Sequence, residues 1–191
     1  MKTMPTRQSS LTMLTIGHSI RPLEELIALL GENRVQTLVD VRRYPASRRH
    51  PQFNREVLER SLPEPSIEYV WMPELGGRRS PDRNSHNTVW RNAGFRGYAD
   101  YMETQPFQAA IAHLLQQMEV KRSAIMCAEQ AWQQCHRGLI ADFLKARGVE
   151  VIHILGHNRT EPHPWTAAAQ IAGGELSYSS VEKSGQRGFD F

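Results

Sequence analysis

The chain has 191 residues, 40% of them hydrophobic, a length that suits one domain with a substantial core and is short for two. Two cysteines are too few for a disulfide framework, no stretch reaches the roughly 18 apolar residues of a membrane helix, and the first eleven residues lack a signal peptide's apolar run, so a soluble cytoplasmic protein with reduced thiols is expected. Net charge is only +3, yet 19 of the basic residues are Arg, and residues 42–96 hold 11 Arg and no Lys against six acids. That composition leaves open an anionic ligand held by Arg forks or a merely solvated face.

Residues 1–11 read as a disordered tail. Leu11 to Gly17 is a short apolar run that ends in Gly17-His18-Ser19, a strand followed by a turn. Ser19 or Arg21-Pro22 then opens a helix whose buried face is Leu23, Leu26, Ile27, Leu29 and Leu30. Thr37 to Val41 is a second strand, closed by Asp40 to Pro45, and the strand-helix-strand order calls for a right-handed crossover between parallel neighbours. Four prolines between 44 and 66 leave room for one helix, Asn54 to Leu62. Ile67 to Met72 reads as a third strand, followed by Gly76-Gly77, where paired glycines permit positive φ or a close approach. Residues 78–94 are a polar excursion over a sheet edge, either a functional lid or ornament.

The spacing predicts helices over Gly97 to Glu103 and Pro106 to Glu119, the second with Ala110, Ile111, Leu114, Leu115 and Met118 on one face. Ser123 to Met126 is a fourth strand, residues 137–147 a helix ending at Gly148, and Val149 to Leu155 a fifth strand. Beyond Asn158 only Thr166 to Ile171 and Leu176 to Tyr178 suggest order, and residues 179–191 read as a flexible tail. The reading is therefore a single α/β domain over 12–178, three-layered, with a mainly parallel central sheet of about five strands and helices on both faces.

Each predicted strand ends in a chemically capable turn: His18 and Ser19, then Asp40 and Arg42, then Glu74 with Gly76 and Gly77, then Cys127 and Glu129. In a parallel sheet these turns share one edge, where ligands bind. Residues 126–137 are the densest of them, a strand-to-helix turn that crowds two thiols, a carboxylate, an imidazole and a guanidinium together. Cys127 is either a nucleophile activated by His136, Arg137 or helix amides, or a small core residue on the cleft floor, and the packed reading is favoured. Glu129 is a general acid or base, or a partner of Arg137 or Arg42. His136 and Arg137 open a helix, a setting that attracts anions, although Arg137 also fits an internal pair with Asp40 or Glu129. His18 is a base, a ligand or a turn residue. A metal site would have to be assembled from Cys127, Cys135 and His136, with or without His18, but C-x7-C-H lacks the C-x2-C knuckle of structural zinc sites, so no metal or other cofactor is expected. GxGxxG, Walker, HExxH and GxSxG patterns are absent, which removes the support for nicotinamide, nucleotide-hydrolysing and serine-hydrolase readings.

Thr15-Ile16-Gly17-His18-Ser19, Asp40-Val41-Arg42, Pro45 with Ser47-Arg48, Phe53-Asn54, Leu75-Gly76-Gly77, Phe95 to Met102 and Met126-Cys127-Ala128-Glu129 with Cys135-His136-Arg137 together resemble domain-of-unknown-function family 488. The likeness runs from about residue 13 to Tyr178 and takes in His163-Pro164 and Thr166. It implies an α/β fold and a cytoplasmic prokaryotic protein, in a family that has no one established reaction and some of whose members are loosely associated with DNA repair. The family's motif positions are His18, Ser19, Asp40, Arg42, Cys127, Glu129, Cys135, His136 and Arg137.

The leading expectation is an enzyme-like domain whose strand-end cleft binds a phosphate-bearing ligand, nucleotide and nucleic acid included. Ser19, Asp40, Arg42, Gly76, Gly77, His136 and Arg137 are its binding residues, with Glu129, Cys127 and His18 as the reactive candidates. The alternatives are a non-catalytic module associated with nucleic acid, and a redox thiol protein. A narrow, deep cleft favours the first, a continuous Arg stripe the second, and sulfurs within disulfide distance the third.

Overall fold

A computed structural model describes residues 11–63 and 66–180. Apart from Leu11, Ser179 and Ser180, the expected tails lie outside the described residues. Strands β1 (Thr12–Gly17), β2 (Thr37–Asp40), β3 (Glu68–Trp71), β4 (Ser123–Cys127), β5 (Glu150–Gly156) and β6 (Arg159–Pro162) form one sheet in the order β3-β2-β4-β1-β5-β6. The first five are parallel and β6 runs antiparallel to β5. Helices α1 (Leu23–Glu32), α2 (Arg55–Ser61), α3 (Ala93–Met102), α4 (Gln105–Val120) and α5 (Arg137–Ala146) cover it, and a hairpin of β7 (Gln170–Ala172) and β8 (Glu175–Ser177) forms a second, two-stranded sheet beside α5.

The inner strands are continuous apolar runs because both faces are covered, and alternate residues feed two separate cores. Met13, Val39, Ile125 and Val151 pack with Tyr98, Phe107, Leu114, Leu139 and Phe143 from α3, α4 and α5. Leu14, Leu38, Ala124 and Met126 pack on the other face with Leu26, Leu29 and Leu30 of α1 and Leu58 of α2. The chain thus leaves β1 and β2 on the α1/α2 face and leaves the neighbouring β4 on the α5 face. Adjacent strands that part to opposite faces open a crevice at their carboxyl ends.

Three elements depart from the sequence reading. β6 was not expected because its residues are mostly exposed and carry no apolar alternation; it is an edge strand defined by pairing with β5. Helix α3 begins at Ala93, ahead of the expected Gly97, because the Asn92 side chain accepts from the amides of Gly94 and Phe95 at 2.9 and 3.2 Å and offsets the poor helix propensity of Gly94. The polar excursion folds onto α3, where Asp100 accepts from the Asp82 amide, the Ser85 hydroxyl and the Asn87 side chain at 2.6–2.9 Å. Among the described residues no helix is long and apolar enough to cross a membrane.

Candidate active site

β4 delivers Cys127 to the carboxyl edge, and residues 128–136 return the chain to the same point through a 3-10 turn at Trp132–Gln134. Cys135 therefore faces Cys127 across the turn although seven residues separate them, and Gly17 lies so close beneath that a Cβ there would sit 1.9 Å from the Glu129 carbonyl oxygen. His136 stands between the sulfurs, its Nδ1 3.8 Å from Cys127 Sγ and 3.7 Å from Cys135 Sγ. Its Nε2 donates to the Val41 carbonyl at 3.1 Å, which leaves the lone pair on Nδ1 facing the thiols. The Cys127 thiol donates to Glu129 Oε2 at 3.1 Å, and the Arg137 amide donates to Cys135 Sγ at 3.5 Å. The interaction with Cys135, burial and the Glu129 carboxylate push the Cys127 thiol up. Burial alone would raise Cys135 too, but the adjacent Cys127 and the nearby Arg137 charge pull it the other way, below the ordinary thiol range.

These groups form the floor of a cleft of about 350 Å³. Arg43 and Arg78 stand at its mouth beside Tyr44, with their guanidinium carbons 5.6 and 6.0 Å from that ring. Neither enters an ion pair among the described residues. Glu129 is exposed on the lip. Asn92 and Gly94 line the wall, so the excursion's end belongs to the cleft. The glycine pair serves close approach rather than positive φ, which falls on Arg78 at 59° instead. A Cβ on Gly76 would lie 2.8 Å from the Arg43 backbone, and one on Gly77 would lie 2.8 Å from His136 Nδ1.

At the back of the cleft, Arg42 is held by Asp40, which lies behind it. The Asp40 carboxylate, 0% exposed, accepts from the amide, Nε and Nη2 of Arg42 and from the Tyr69 hydroxyl, while Arg42 Nη2 also donates to the Phe53 carbonyl at 2.7 Å. Arg42 Nη1 donates to His18 Nε2 at 3.2 Å, and His18 Nδ1 donates to the Ser19 carbonyl at 2.9 Å. Burial, with Arg42 adding to it, lowers His18 to about 4, so the ring is neutral and both its nitrogens are engaged.

A second polar array runs inward from α5. Arg137, 1% exposed, donates to the carbonyls of Glu129 and Gln130 at 2.6 and 3.3 Å and to Thr15 Oγ1 at 3.2 Å. Thr15 Oγ1 meets His153 Nδ1 at 2.6 Å, His153 Nε2 meets His163 Nδ1 at 2.8 Å, and His163 Nε2 meets Asp142 Oδ1 at 3.0 Å. One assignment satisfies every link with neutral rings: each group donates to the next, from the Arg137 cation to the Asp142 carboxylate. Trp132 stacks on His153 at 4.6 Å between centroids.

Of the ten residues expected at the site, Arg42, Gly77, Cys127, Glu129 and His136 line the cleft, and His18, Ser19, Asp40, Gly76 and Arg137 lie behind it. Ser19 takes a positive φ of 52° and donates its amide to the Ala128 carbonyl at 2.9 Å, which ties the first turn to the fourth. Arg43, Arg78 and Cys135 were not among the expected site residues; the Arg-rich composition was the signal for the first two. Asp142 and His153 went unnoticed, although a carboxylate on a helix's apolar face and an imidazole inside an apolar strand were both legible. The family model described as Domain of unknown function DUF488 matches residues 22–144, a span that contains every cleft residue named above. No curated protein and no solved structure matches the chain.

Proposed function

Given that the chain belongs to the DUF488 family, we propose that it is a cytoplasmic enzyme that binds a small phosphate-bearing molecule in the strand-end cleft. Arg43 and Arg78 receive the phosphate, Tyr44 packs against the rest of the ligand, and Glu129 transfers a proton at the reacting end. The observation that carries this reading is the convergence, in one cleft, of two guanidiniums without ion-pair partners among the described residues and an exposed carboxylate above a pair of cysteines. Arg42 and Arg137, the expected anion ligands, instead have internal partners that account for their placement. A volume of about 350 Å³ suits a small molecule, near the lower end of the range of ligand pockets, better than a strand of nucleic acid. Two free cysteines support a reducing compartment.

The test is calorimetric titration with inorganic phosphate, mononucleotides, sugar phosphates and a single-stranded oligonucleotide. A small phosphate ligand is expected to bind. A charge-assisted bond contributes about 1.5–3 kcal/mol, so replacing both Arg43 and Arg78 by Ala is expected to weaken that binding by at least about 100-fold. Glu129→Gln is expected to fold and bind normally and to lose turnover. Salt-dependent binding of the oligonucleotide alone would replace this reading with that of a non-catalytic nucleic-acid module.

A further inference from the structure

We propose that Cys127, Cys135 and His136 are the three protein ligands of a zinc-class divalent cation on the cleft floor, with the fourth coordination position open towards the cleft. The inference rests on the cleft reading only for what fills that fourth position.

The two sulfurs and His136 Nδ1 all lie within 4.8 Å of one another. A tetrahedral zinc ion with bonds of about 2.3 Å to sulfur and about 2.05 Å to nitrogen sets sulfur-nitrogen edges of about 3.6 Å. The observed separations are 3.8 and 3.7 Å, near the values a bound ion would impose and long for hydrogen bonds. The imidazole is oriented as a ligand: Nε2 is fixed as a donor to the Val41 carbonyl, the partner that metal-bound histidines characteristically have on their second nitrogen. Gly77 keeps the Nδ1 side clear, since a Cβ there would lie 2.8 Å away. Soft thiolates with one imidazole select zinc over magnesium or calcium. Binding displaces the remaining thiol protons to solvent.

The C-x7-C-H spacing conceals the site because the 3-10 turn, rather than a knuckle, brings the second sulfur back. Three protein ligands and one open position are the pattern of catalytic rather than structural zinc. Glu129 Oε2, 3.1 Å from Cys127 Sγ, is placed either to close the sphere or to accept a proton from a bound water.

The full chain, produced in zinc-supplemented medium, should carry about one zinc per molecule by elemental analysis. The cobalt-loaded protein should show thiolate-to-cobalt charge-transfer absorption. Cys135→Ser and His136→Ala should abolish both signals. Should either variant fail to fold, the wild-type chain decides, because zinc is expected to slow alkylation of both thiols by iodoacetamide at least tenfold and a chelator to restore it. A folded wild-type chain that takes up neither zinc nor cobalt, or whose thiols react equally fast with and without zinc, overturns the proposal. Phosphate and mononucleotides titrated into the zinc-loaded and the chelated protein separate the two readings. Zinc bound without any ligand response removes the phosphate reading and leaves the metal site standing, whereas a ligand response from a chain that binds no zinc does the reverse.

Discussion

Asp142→Ala is expected to lower the free energy of unfolding by about 3–5 kcal/mol, a large fraction of the roughly 5–15 kcal/mol that holds a typical domain together. The carboxylate is 0% exposed and accepts four hydrogen bonds: from His163 Nε2 at 3.0 Å, the Thr166 amide at 3.0 Å, the Thr166 hydroxyl at 2.6 Å and the Tyr178 hydroxyl at 2.9 Å. Removing it leaves two buried donors, His163 Nε2 and the Tyr178 hydroxyl, and two half-buried ones on Thr166 without an acceptor, and each orphan costs about 1–3 kcal/mol unless water reaches it. The melting temperature should fall by about 10 °C for a chain of this length. Three of the four donors belong to Thr166 and Tyr178, so the segment from His163 to Tyr178 should lose hydrogen-exchange protection first, with β1, β2 and β4 retaining theirs. Because the array ends at Arg137, Arg137→Ala combined with Asp142→Ala should be less damaging than the two single losses added together. Unfolding in urea measures the first effect, and a loss under about 1 kcal/mol would mean that the array is hydrated and contributes little.

Acidification is expected to destabilise the folded chain by roughly 3–4 kcal/mol between pH 7 and pH 5, through His18 and His153. Burial and the Arg42 charge lower His18 to about 4, with His50 acting the same way and Asp40 and the Ser19 carbonyl opposing. Burial, His163 and Arg137 lower His153 to about 3, with Cys135 opposing. An unfolded histidine titrates near 6.5, so between that pH and the folded values the unfolded chain binds more protons than the folded one. The stabilisation is complete above 6.5 and is lost as pH falls, through about 4 for His18 and about 3 for His153. Each ring contributes close to 2 kcal/mol of the change by pH 5. Urea unfolding at the two pH values checks this, with a double His18→Gln, His153→Gln variant as the control whose profile should flatten. Equal wild-type stability at both would show that the folded rings take up protons freely.

The elements that rest on local pattern could be read from neighbouring residues alone. The five parallel strands, the helix faces of α1, α4 and α5, and the strand-to-helix turn from Cys127 to Arg137 were legible because apolar periodicity and a polar strand end are properties of neighbouring residues. β6 was not, since an exposed edge strand is specified by its partner β5. The division of the arginines depended wholly on tertiary structure: Arg42 and Arg43 are adjacent in the chain and both line the cleft, yet the fork of one is taken up by Asp40 and the Phe53 carbonyl while the other enters no ion pair among the described residues. Likewise Thr15, His153, His163 and Asp142 come from β1, β5, the segment after β6, and α5, and only the order of the strands brings them to one line. The meeting of Cys127, Cys135 and His136 also required the fold, because the sulfur positions depend on a 3-10 turn that composition does not announce. Local propensity decides which residues make a strand or helix, whereas burial and partner are set by residues distant in the chain, and a buried cation and a cleft cation are spelled with the same letter.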